Sequence, residues 1–415
     1  MIVSKAYEID SCDDIELGIK RESKLEFKLW YENEKEVKAL VFIVQGMGAD
    51  ISSMQYINDY MVRQFNVAVV GVNYHCIGNR PQTGSSFYLD DIDKLILKTS
   101  CESAGISLPF SVDEIQSYEK MSEIFHFINN SLFKGKQEGK FLPHYFLNLH
   151  VSLLAAKNEY QNFGLMQAQD LLNAALYLKK QPPFDMGGGG LPVIMIGGSH
   201  GGYLAHLAAK IAPWLVDGVI DNSGGAKILC RVVGFGKEID FMEYSEFATF
   251  DFFRHIKTHC STKTFWTSNS QSPRFFSTAR RKIRNLLEKD HLLKQAKCLK
   301  TCFVGYHSLK DEYCPFSEKT ALYEEFKKLG FDATLHSITK EAQVDGKFIK
   351  NLSHGMGISI KNLIKKELPF MLEKIKHNFK KDCKEKRVSY PCEDLLYHFS
   401  EKDNKIALKI QKENF

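Results

Sequence analysis

Apolar and polar positions alternate in the first part of the chain and then give way to continuous apolar runs. Residues 6–9 and 24–32 alternate, which predicts antiparallel strands with one solvated face. The runs at 38–45 and 66–74 predict buried strands of the parallel type. Residues 52–65, between them, have apolar side chains at helical spacing. The order strand, helix, strand indicates that the chain has entered a β-α-β arrangement.

The same rhythm returns in the second half of the chain. Strands are predicted over 191–196, 216–222, 301–308 and 331–339, and helices over 166–180, from 203 onward, over 316–329 and in a long segment that ends near 380. Gly330 ends one of these helices. Parallel strands alternating with helices predict an α/β fold with a mostly parallel central sheet and helices on both faces. Its active edge should lie at the carboxyl ends of the strands.

Two segments interrupt this frame. Residues 75–160 are polar and rich in Gly and Pro at first, with helices expected around 111–133 and 146–160. Residues 225–296 are irregular, aromatic and rich in arginine. We therefore predict one α/β core over 1–74, 161–224 and 297–380, with both insertions forming caps. Residues 381–415 form a basic and then mixed tail, in which 395–410 is a candidate hairpin.

Composition narrows the class of protein without identifying it. The 415 residues are 44% hydrophobic and 25% charged, as in ordinary globular proteins, and the net charge of +5 is no nucleic-acid signature. The N-terminus has no signal-peptide pattern, and no apolar window of about 18 residues occurs, so we expect a cytoplasmic protein without membrane insertion. Ten cysteines without a CxxC pair favour free thiols over a disulfide framework.

The stretch LPVIMIGGSHGGY, residues 191–203, contains the strongest candidate chemistry. An apolar strand runs into Gly197-Gly198-Ser199-His200-Gly201, and a helix follows. Glycines on both sides of Ser199 allow a tight turn that projects the hydroxyl, so the pattern predicts a nucleophile elbow rather than a structural turn. The backbone N–H of His200 would then contribute to an oxyanion hole.

A second oxyanion donor is expected after the strand at 38–45. Gln45-Gly46-Met47-Gly48 occupies that loop, and its glycines would let the backbone N–H of Met47 approach a substrate oxygen. Gln45 itself is a candidate substrate ligand. The alternative is a glycine-rich turn that only precedes a helix.

A serine hydroxyl needs a base, and the base needs an orienting acid. Asp311 follows a predicted strand about 110 residues after Ser199, and His354 lies in a glycine-marked loop after the next strand. Both positions fall on the predicted active edge, in the order Ser, Asp, His. Glu312 is the alternative acid. His307 and His336 are weaker rivals for the base.

Taken together, Gln45 to Gly48, Gly197 to Gly202, Asp311 and His354 resemble the α/β-hydrolase superfamily, with a core order similar to its acyl-esterase and prolyl-oligopeptidase branches. The resemblance covers residues 24–375 without the insertions. The polar insertion and the stretch Asp221 to Gly224 also resemble an uncharacterised bacterial family found in some flagellar-glycosylation gene regions. That resemblance implies a serine hydrolase or acyltransferase that acts on a sugar such as a nonulosonic acid.

Two further clusters need an interpretation. His255 and His259 lie four residues apart beside Cys260, but an aromatic cap helix is a better interpretation than a metal site, since a third ligand is missing from the pattern. Arg280 and Arg281, near Arg274 and Arg284, are candidate ligands for an anionic substrate such as an acidic sugar or a coenzyme A thioester. The alternative for these arginines is a solvated helix face.

The leading hypothesis is a carboxylic ester hydrolase that forms an acyl-enzyme on Ser199, with a small acyl ester or acylated sugar as substrate. It needs neither metal nor cofactor, although acyl-CoA is an optional co-substrate. An acyltransferase and a non-catalytic binding protein of the same fold remain the alternatives.

Overall fold

The computed structural model describes residues 1–46, 49–76, 86–188, 190–228, 249–378, 383 and 385–413. Its chain forms two compact units. The first unit comprises Met1–Ile77, Asn162–Leu229 and Phe276–Phe415, and the second comprises Gly78–Gln161 and Cys230–Phe275.

An eight-stranded sheet organises the first unit. Its strands are β1 (Ile2–Ile9), β2 (Leu25–Glu32), β3 (Leu40–Val44), β4 (Ala68–Asn73), β7 (Val193–Gly198), β8 (Gly218–Asn222), β11 (Cys302–Ser308) and β12 (Ala333–Ile338). They lie in the order β1-β2-β4-β3-β7-β8-β11-β12. Strand β2 pairs antiparallel with β1 and β4, and all pairs from β4 to β12 are parallel. The strands predicted from the apolar runs are thereby confirmed.

Helices cover both faces of this sheet. They are α1 (Gln55–Phe65), α4 (Leu165–Lys180), α5 (His200–Ile211), α6 (Thr278–Arg284), α7 (Lys289–Gln295), α8 (Phe316–Lys328) and α9 (Ile360–Asn378). Along β3, Leu40, Phe42 and Val44 join the apolar cluster of α4 and α5. Val41 and Ile43 join the cluster of α1 and α9 on the opposite face. This alternation explains why β3 is apolar throughout, and the architecture is the predicted α/β-hydrolase fold.

The C-terminal segment forms an additional sheet. Strands β13 (Arg387–Cys392), β14 (Leu395–Lys402) and β15 (Lys405–Lys412) pair antiparallel, which confirms the predicted hairpin. Asp403 and Asn404 both have positive φ, as a two-residue hairpin turn of type I′ requires. The side chains of Tyr390, Tyr397 and Phe399 are buried in the main apolar cluster. Residues 387–412 are therefore part of the first unit rather than a loose tail.

Two expectations are wrong: the assignment of residues 276–296 to a cap, and the absence of disulfides. Residues 276–296 belong to the first unit instead of to a second cap. The physical reason is Arg284 of α6, which is fully buried and forms an ion pair with Glu16 from the N-terminal segment. The second correction concerns the cysteines, because Cys298 is joined to Cys383 by a disulfide. Within the described ranges, the remaining cysteines form no disulfide, as predicted.

The second unit has its own sheet and core. It contains β5 (Ser86–Tyr88), α2 (Asp91–Ser103), α3 (Tyr118–Gln137), β6 (Leu147–Leu154), β9 (Thr249–Phe253) and β10 (Ile256–Thr262). Its strands lie in the order β5-β6-β10-β9, with β6 and β10 parallel. Apolar side chains of β6 and α3 form its core. None of the helices in the described ranges is long and apolar enough to cross a bilayer.

Two helix predictions fail in the second unit. The segment 146–160, expected to be helical, contains β6, whose residues are buried except at its second and last positions. His255 precedes β10 and His259 lies within it, so the expected aromatic cap helix is a strand. Leucine and alanine in the first segment favour helix, but pairing with β10 about 100 residues later in the sequence overrides that local preference.

Candidate active site

Ser199 lies at a sharp turn between β7 and α5. Its backbone has φ 53° and ψ −126°, a conformation that non-glycine residues rarely adopt. The backbone N–H of Ser199 donates to the carbonyl of Asn222, at the end of β8, over 2.9 Å. Strain of this kind persists only where the surroundings hold it in place, and it is typical of a nucleophile elbow.

Close backbone packing requires glycine at positions 197 and 201, two residues before and two residues after Ser199. A Cβ atom on Gly197 would overlap the backbone of Gly201, and one on Gly201 would overlap the carbonyl of Val44. At Gly198 a Cβ would lie 3.5 Å from the carbonyl oxygen of Asn222, an ordinary contact. Gly197 and Gly201, the two glycines that the motif specifies, are therefore sterically required, whereas Gly198 is not.

His200 begins α5, so its backbone N–H points out of the N-terminal end of that helix. Its side chain is buried, and Nε2 lies 2.9 Å from Oε1 of Gln167. Burial lowers the pKa of His200 to about 4. The imidazole is thus neutral and bound to Gln167, so it is not placed to act as a base. The predicted contribution of His200 to the site is its backbone N–H.

The loop after β3 lies against the elbow. A Cβ on Gly46 would come within 3.3 Å of the carbonyl oxygen of Gly198 and 3.8 Å of the Cβ of Ser199. The carbonyl of Gln45 accepts a hydrogen bond from the hydroxyl of Tyr74 over 2.8 Å. The Gln45 amide is buried and, within the described ranges, has no hydrogen-bond partner. Met47, the predicted oxyanion donor, lies outside the described residues.

The predicted acid and base meet at the carboxyl end of β11. Nδ1 of His354 lies 2.9 Å from both carboxylate oxygens of Asp311. The Asp311 carboxylate also accepts the backbone N–H groups of Tyr313 and Cys314. Burial acts to raise the pKa of Asp311, but the hydrogen bond with His354 and the backbone donors outweigh it, so the pKa is lowered. The side chain of Asp311 is fully buried and that of His354 is 17% exposed.

The rival residues have other partners. Glu312 accepts the backbone N–H of His354 over 2.9 Å and does not bind its ring. Nε2 of His307 lies 2.9 Å from the carbonyl oxygen of Cys314 and 3.7 Å from Asp311. His336 stacks on Tyr306 within the sheet. Of these candidates, Asp311 and His354 are the pair with the geometry of an acid that orients a base.

Strand β8 joins the two halves of the site. The carbonyl of Asn222 binds the N–H of Ser199, while its side-chain amide donates to the carbonyl of Gly355 over 3.1 Å. The hydroxyl of Ser223 accepts the N–H of Gly355 over 3.0 Å. We call residues 352–356 the histidine loop and the turn at Ser199 the serine turn. Both are hydrogen-bonded to residues 222 and 223 at the end of β8. Asn222 and Ser223 lie in the stretch 221–224 that resembles the uncharacterised bacterial family, but the sequence predicts no role for either residue.

A buried cluster of charged and polar side chains, Asp221, Lys319 and His206, packs against Gly202 in the helix that follows Ser199. Asp221 is fully buried, forms an ion pair with Lys319 of α8 and accepts the backbone N–H of Gly224 over 2.8 Å. His206 lies 3.5 Å from the same carboxylate. Burial acts to raise the pKa of Asp221, but Lys319 and His206 hold it well below its ordinary value. Sequence reasoning missed this cluster because Lys319 comes from an amphipathic helix about 100 residues away.

The remaining candidates lie in other contacts. A guanidinium nitrogen of Arg280 is 3.5 Å from the carbonyl oxygen of Glu16, and the guanidinium group of Arg281 lies over the ring of Phe276. Their role as substrate ligands stays a prediction. Nε2 of His259 lies 3.1 Å from Oδ1 of Asn148.

The donor set best placed for a metal ion within the described ranges is Asp311, Cys314 and His354, whose ligand atoms lie within 4.8 Å of one another. Asp311 and His354 already bind each other, and burial raises the pKa of the Cys314 thiol. Two of the three members of this set are thus the acid–base pair described above.

Comparison with known proteins gives one family and several similar structures. The family described as "Protein of unknown function (DUF2920)" matches residues 5–410. No curated protein matches the chain. A Pyrococcus horikoshii acylaminoacyl peptidase is 15% identical, with a TM-score of 0.44, and the match covers 91% of this chain and 42% of that one. The chain thus spans about two fifths of the length of the acylaminoacyl peptidases it matches.

Two esterases are also similar to this chain. A Pyrobaculum calidifontis esterase is 12% identical, with a TM-score of 0.42 and coverage of 90% of this chain and 85% of that one. Est1E from Butyrivibrio proteoclasticus, solved with ferulic acid bound, is 13% identical, with a TM-score of 0.39 and coverage of 86% and 95%. The family match extends over nearly the whole sequence, and the chain therefore belongs to the DUF2920 family.

Proposed function

We propose that this chain is a serine-dependent hydrolase of carboxylic esters, with Ser199 as nucleophile, His354 as base and Asp311 as the acid that orients the base. The observation that carries the proposal is the bond between Asp311 and Nδ1 of His354, in a loop that Asn222 ties to the turn of Ser199. Each of these residues lies in the first unit.

The chemistry follows from the hydrogen-bonding capacity of the imidazole. With Asp311 ionised, Nδ1 of His354 carries the hydrogen that the carboxylate accepts, and Nε2 presents a lone pair. Nε2 takes the proton of Ser199 as Oγ attacks the ester carbonyl, and it returns that proton to the leaving alkoxide. The backbone N–H of His200 stabilises the oxyanion. Water then attacks the acyl-enzyme, with His354 again taking a proton; the bond between the acyl group and Oγ breaks, the acid is released, and His354 returns the proton to Ser199.

The proposed substrate is a small acyl ester or an acylated sugar. The family resemblance implies either such a hydrolase or an acyltransferase that acts on a sugar, and acyl-CoA is an optional acyl donor for the transfer. Product analysis separates the two: ¹⁸O from labelled water enters the released acid in hydrolysis, whereas an acylated acceptor forms in transfer.

The test compares Ser199→Ala with Ser4→Ala, which changes an exposed serine on β1. We expect the wild-type protein and Ser4→Ala to hydrolyse p-nitrophenyl acetate or butyrate and to react covalently with a fluorophosphonate. Ser199→Ala should lose both reactions and keep its circular dichroism spectrum. Folded wild-type protein that neither reacts with the probe nor hydrolyses any ester of an acetate-to-octanoate series contradicts the proposal and favours a binding protein.

A further inference from the structure

Asn222 and Ser223 contact the histidine loop and the serine turn together. Asn222 is 8% exposed and Ser223 is fully buried. Asn222 accepts the N–H of Ser199 with its main chain and binds the carbonyl of Gly355 with its side chain. Ser223 has φ +57° and accepts the N–H of the same Gly355. Both main-chain polar groups of Gly355, the residue that follows His354, are therefore bound by Asn222 and Ser223 at the end of β8.

The backbone of the histidine loop is itself strained. Gly355 has φ +74° and Met356 has φ +53°, so the loop departs from regular helix directly after His354. A non-glycine residue such as Met356 adopts positive φ only where its surroundings over-determine it. On its other side the loop is tied to β11 and the residues after it, through Ser308 to the carbonyl of Leu352 and through Glu312 to the N–H of His354.

We propose that Asn222 and Ser223 are positioning residues that set the distance between the imidazole of His354 and the hydroxyl of Ser199. This inference rests on the proposed function. The bonds to Asp311 and Glu312 orient the imidazole relative to β11, but they do not fix it relative to Ser199, which follows β7. Strand β8 lies between β7 and β11 in the sheet, so its end is the place from which both can be held. A displacement of about 1 Å in such a pair can cost about 100-fold in rate.

The test uses Ser223→Ala, which removes the acceptor for the N–H of Gly355, and Asn222→Asp, which replaces the amide donor by an oxygen of the same shape. Ser4→Ala and Asn362→Asp, both at exposed positions of the first unit, are the matched controls. We expect kcat for p-nitrophenyl ester hydrolysis and the rate of fluorophosphonate labelling to fall about 10- to 100-fold in the two test variants, with KM within about twofold. The controls should match wild type.

Two additional measurements separate positioning from a general structural role. The downfield proton signal of Nδ1–H of His354 should persist in both test variants and disappear in Asp311→Ala, because the bond between Asp311 and His354 is untouched. The midpoints of denaturant unfolding show whether each test variant is folded. Ser223→Gly, which removes the hydroxyl and suits the positive φ, replaces Ser223→Ala if the latter does not fold.

The outcomes distinguish this inference from the proposed function. Active wild-type protein together with folded test variants of unchanged kcat overturns the positioning role and leaves the proposed function standing. Loss of the His354 signal in Ser223→Ala also overturns it, since the variant then disrupts the acid–base pair itself. Wild-type protein without activity or labelling instead overturns the proposed function, and the inference with it.

Discussion

Nδ1 of His354 lies at the same distance, 2.9 Å, from the two carboxylate oxygens of Asp311. This contact leads to a prediction for Asp311→Asn. The new amide can donate to Nδ1, which favours the tautomer with hydrogen on Nε2, and that tautomer cannot accept the proton of Ser199. We expect kcat for ester hydrolysis to fall about 10³- to 10⁴-fold with the fold intact. Steady-state kinetics at pH 7 to 8 measures the loss.

Glu312→Gln is the matched control for Asp311→Asn. The amide oxygen of glutamine can still accept the backbone N–H of His354, so the loop keeps its anchor. We expect kcat to stay within about fivefold of wild type, well short of the loss that removing a positioned acid produces. If Glu312→Gln loses as much activity as Asp311→Asn, Glu312 is the acid after all.

The elbow glycines give a prediction about stability. Gly197→Ala places a methyl group against the backbone of Gly201, which cannot move without displacing α5. We expect it to lower the free energy of unfolding by about 2 kcal/mol or more, as overpacking in a well-packed region does. Gly198→Ala meets an ordinary contact with Asn222 and should remain within about 1 kcal/mol of wild type.

Urea unfolding monitored by circular dichroism compares the two variants. Because both substitutions add one methyl group to neighbouring glycines, they change the unfolded chain equally, and the difference between them reports the folded state. Equal midpoints for Gly197→Ala and Gly198→Ala would contradict the steric interpretation of the motif.

Local signals were sufficient for the sheet and for the motif residues of the site. The apolar runs identified β3, β4, β7 and β8 because strands buried on both faces have no polar alternation. The turn at Ser199 and the contact of Asp311 with His354 follow the sequence prediction, because the proposed chemistry needs fixed residue types in a fixed order at strand ends.

Non-local pairing explains what the sequence did not predict. The misassigned β6 depends on β10, and the placement of α6 depends on the ion pair of Arg284 with Glu16, about 270 residues earlier in the sequence. Asn222 and Ser223 carry no pattern of their own, since their role consists of contacts to two distant loops. Spacing and periodicity report on neighbours in sequence, so they cannot register such contacts.

The buried pair of Asp221 and Lys319 leads to a third prediction. Removing one partner leaves an unpaired charge in the interior, so Asp221→Asn and Lys319→Met should each lower the free energy of unfolding by about 3 to 5 kcal/mol. The double variant should lose less than the two losses combined, because it leaves no unpaired charge. Denaturant unfolding of the three variants at pH 7 forms the cycle, and additive losses would contradict a direct interaction.

The neutral, buried imidazole of His200 gives a prediction for acid pH. Burial lowers its pKa to about 4, whereas the unfolded chain binds a proton near pH 6.5. The unfolded state therefore binds more protons between these values, and folding loses stability as the pH falls from 6.5 towards 4. The loss from this one residue should approach about 3 kcal/mol at pH 4.

His200→Gln isolates that contribution, because the variant leaves every other titrating group in place and glutamine can still bind Gln167. Free energies of unfolding at intervals from pH 7 to 4 give the two curves. We expect the wild-type curve to fall more steeply than the variant curve, with the difference developing between pH 6.5 and 4 and vanishing above pH 7. Parallel curves would mean that the imidazole of His200 is protonated in the folded protein as readily as in the unfolded chain, which would contradict the buried, neutral state of this side chain.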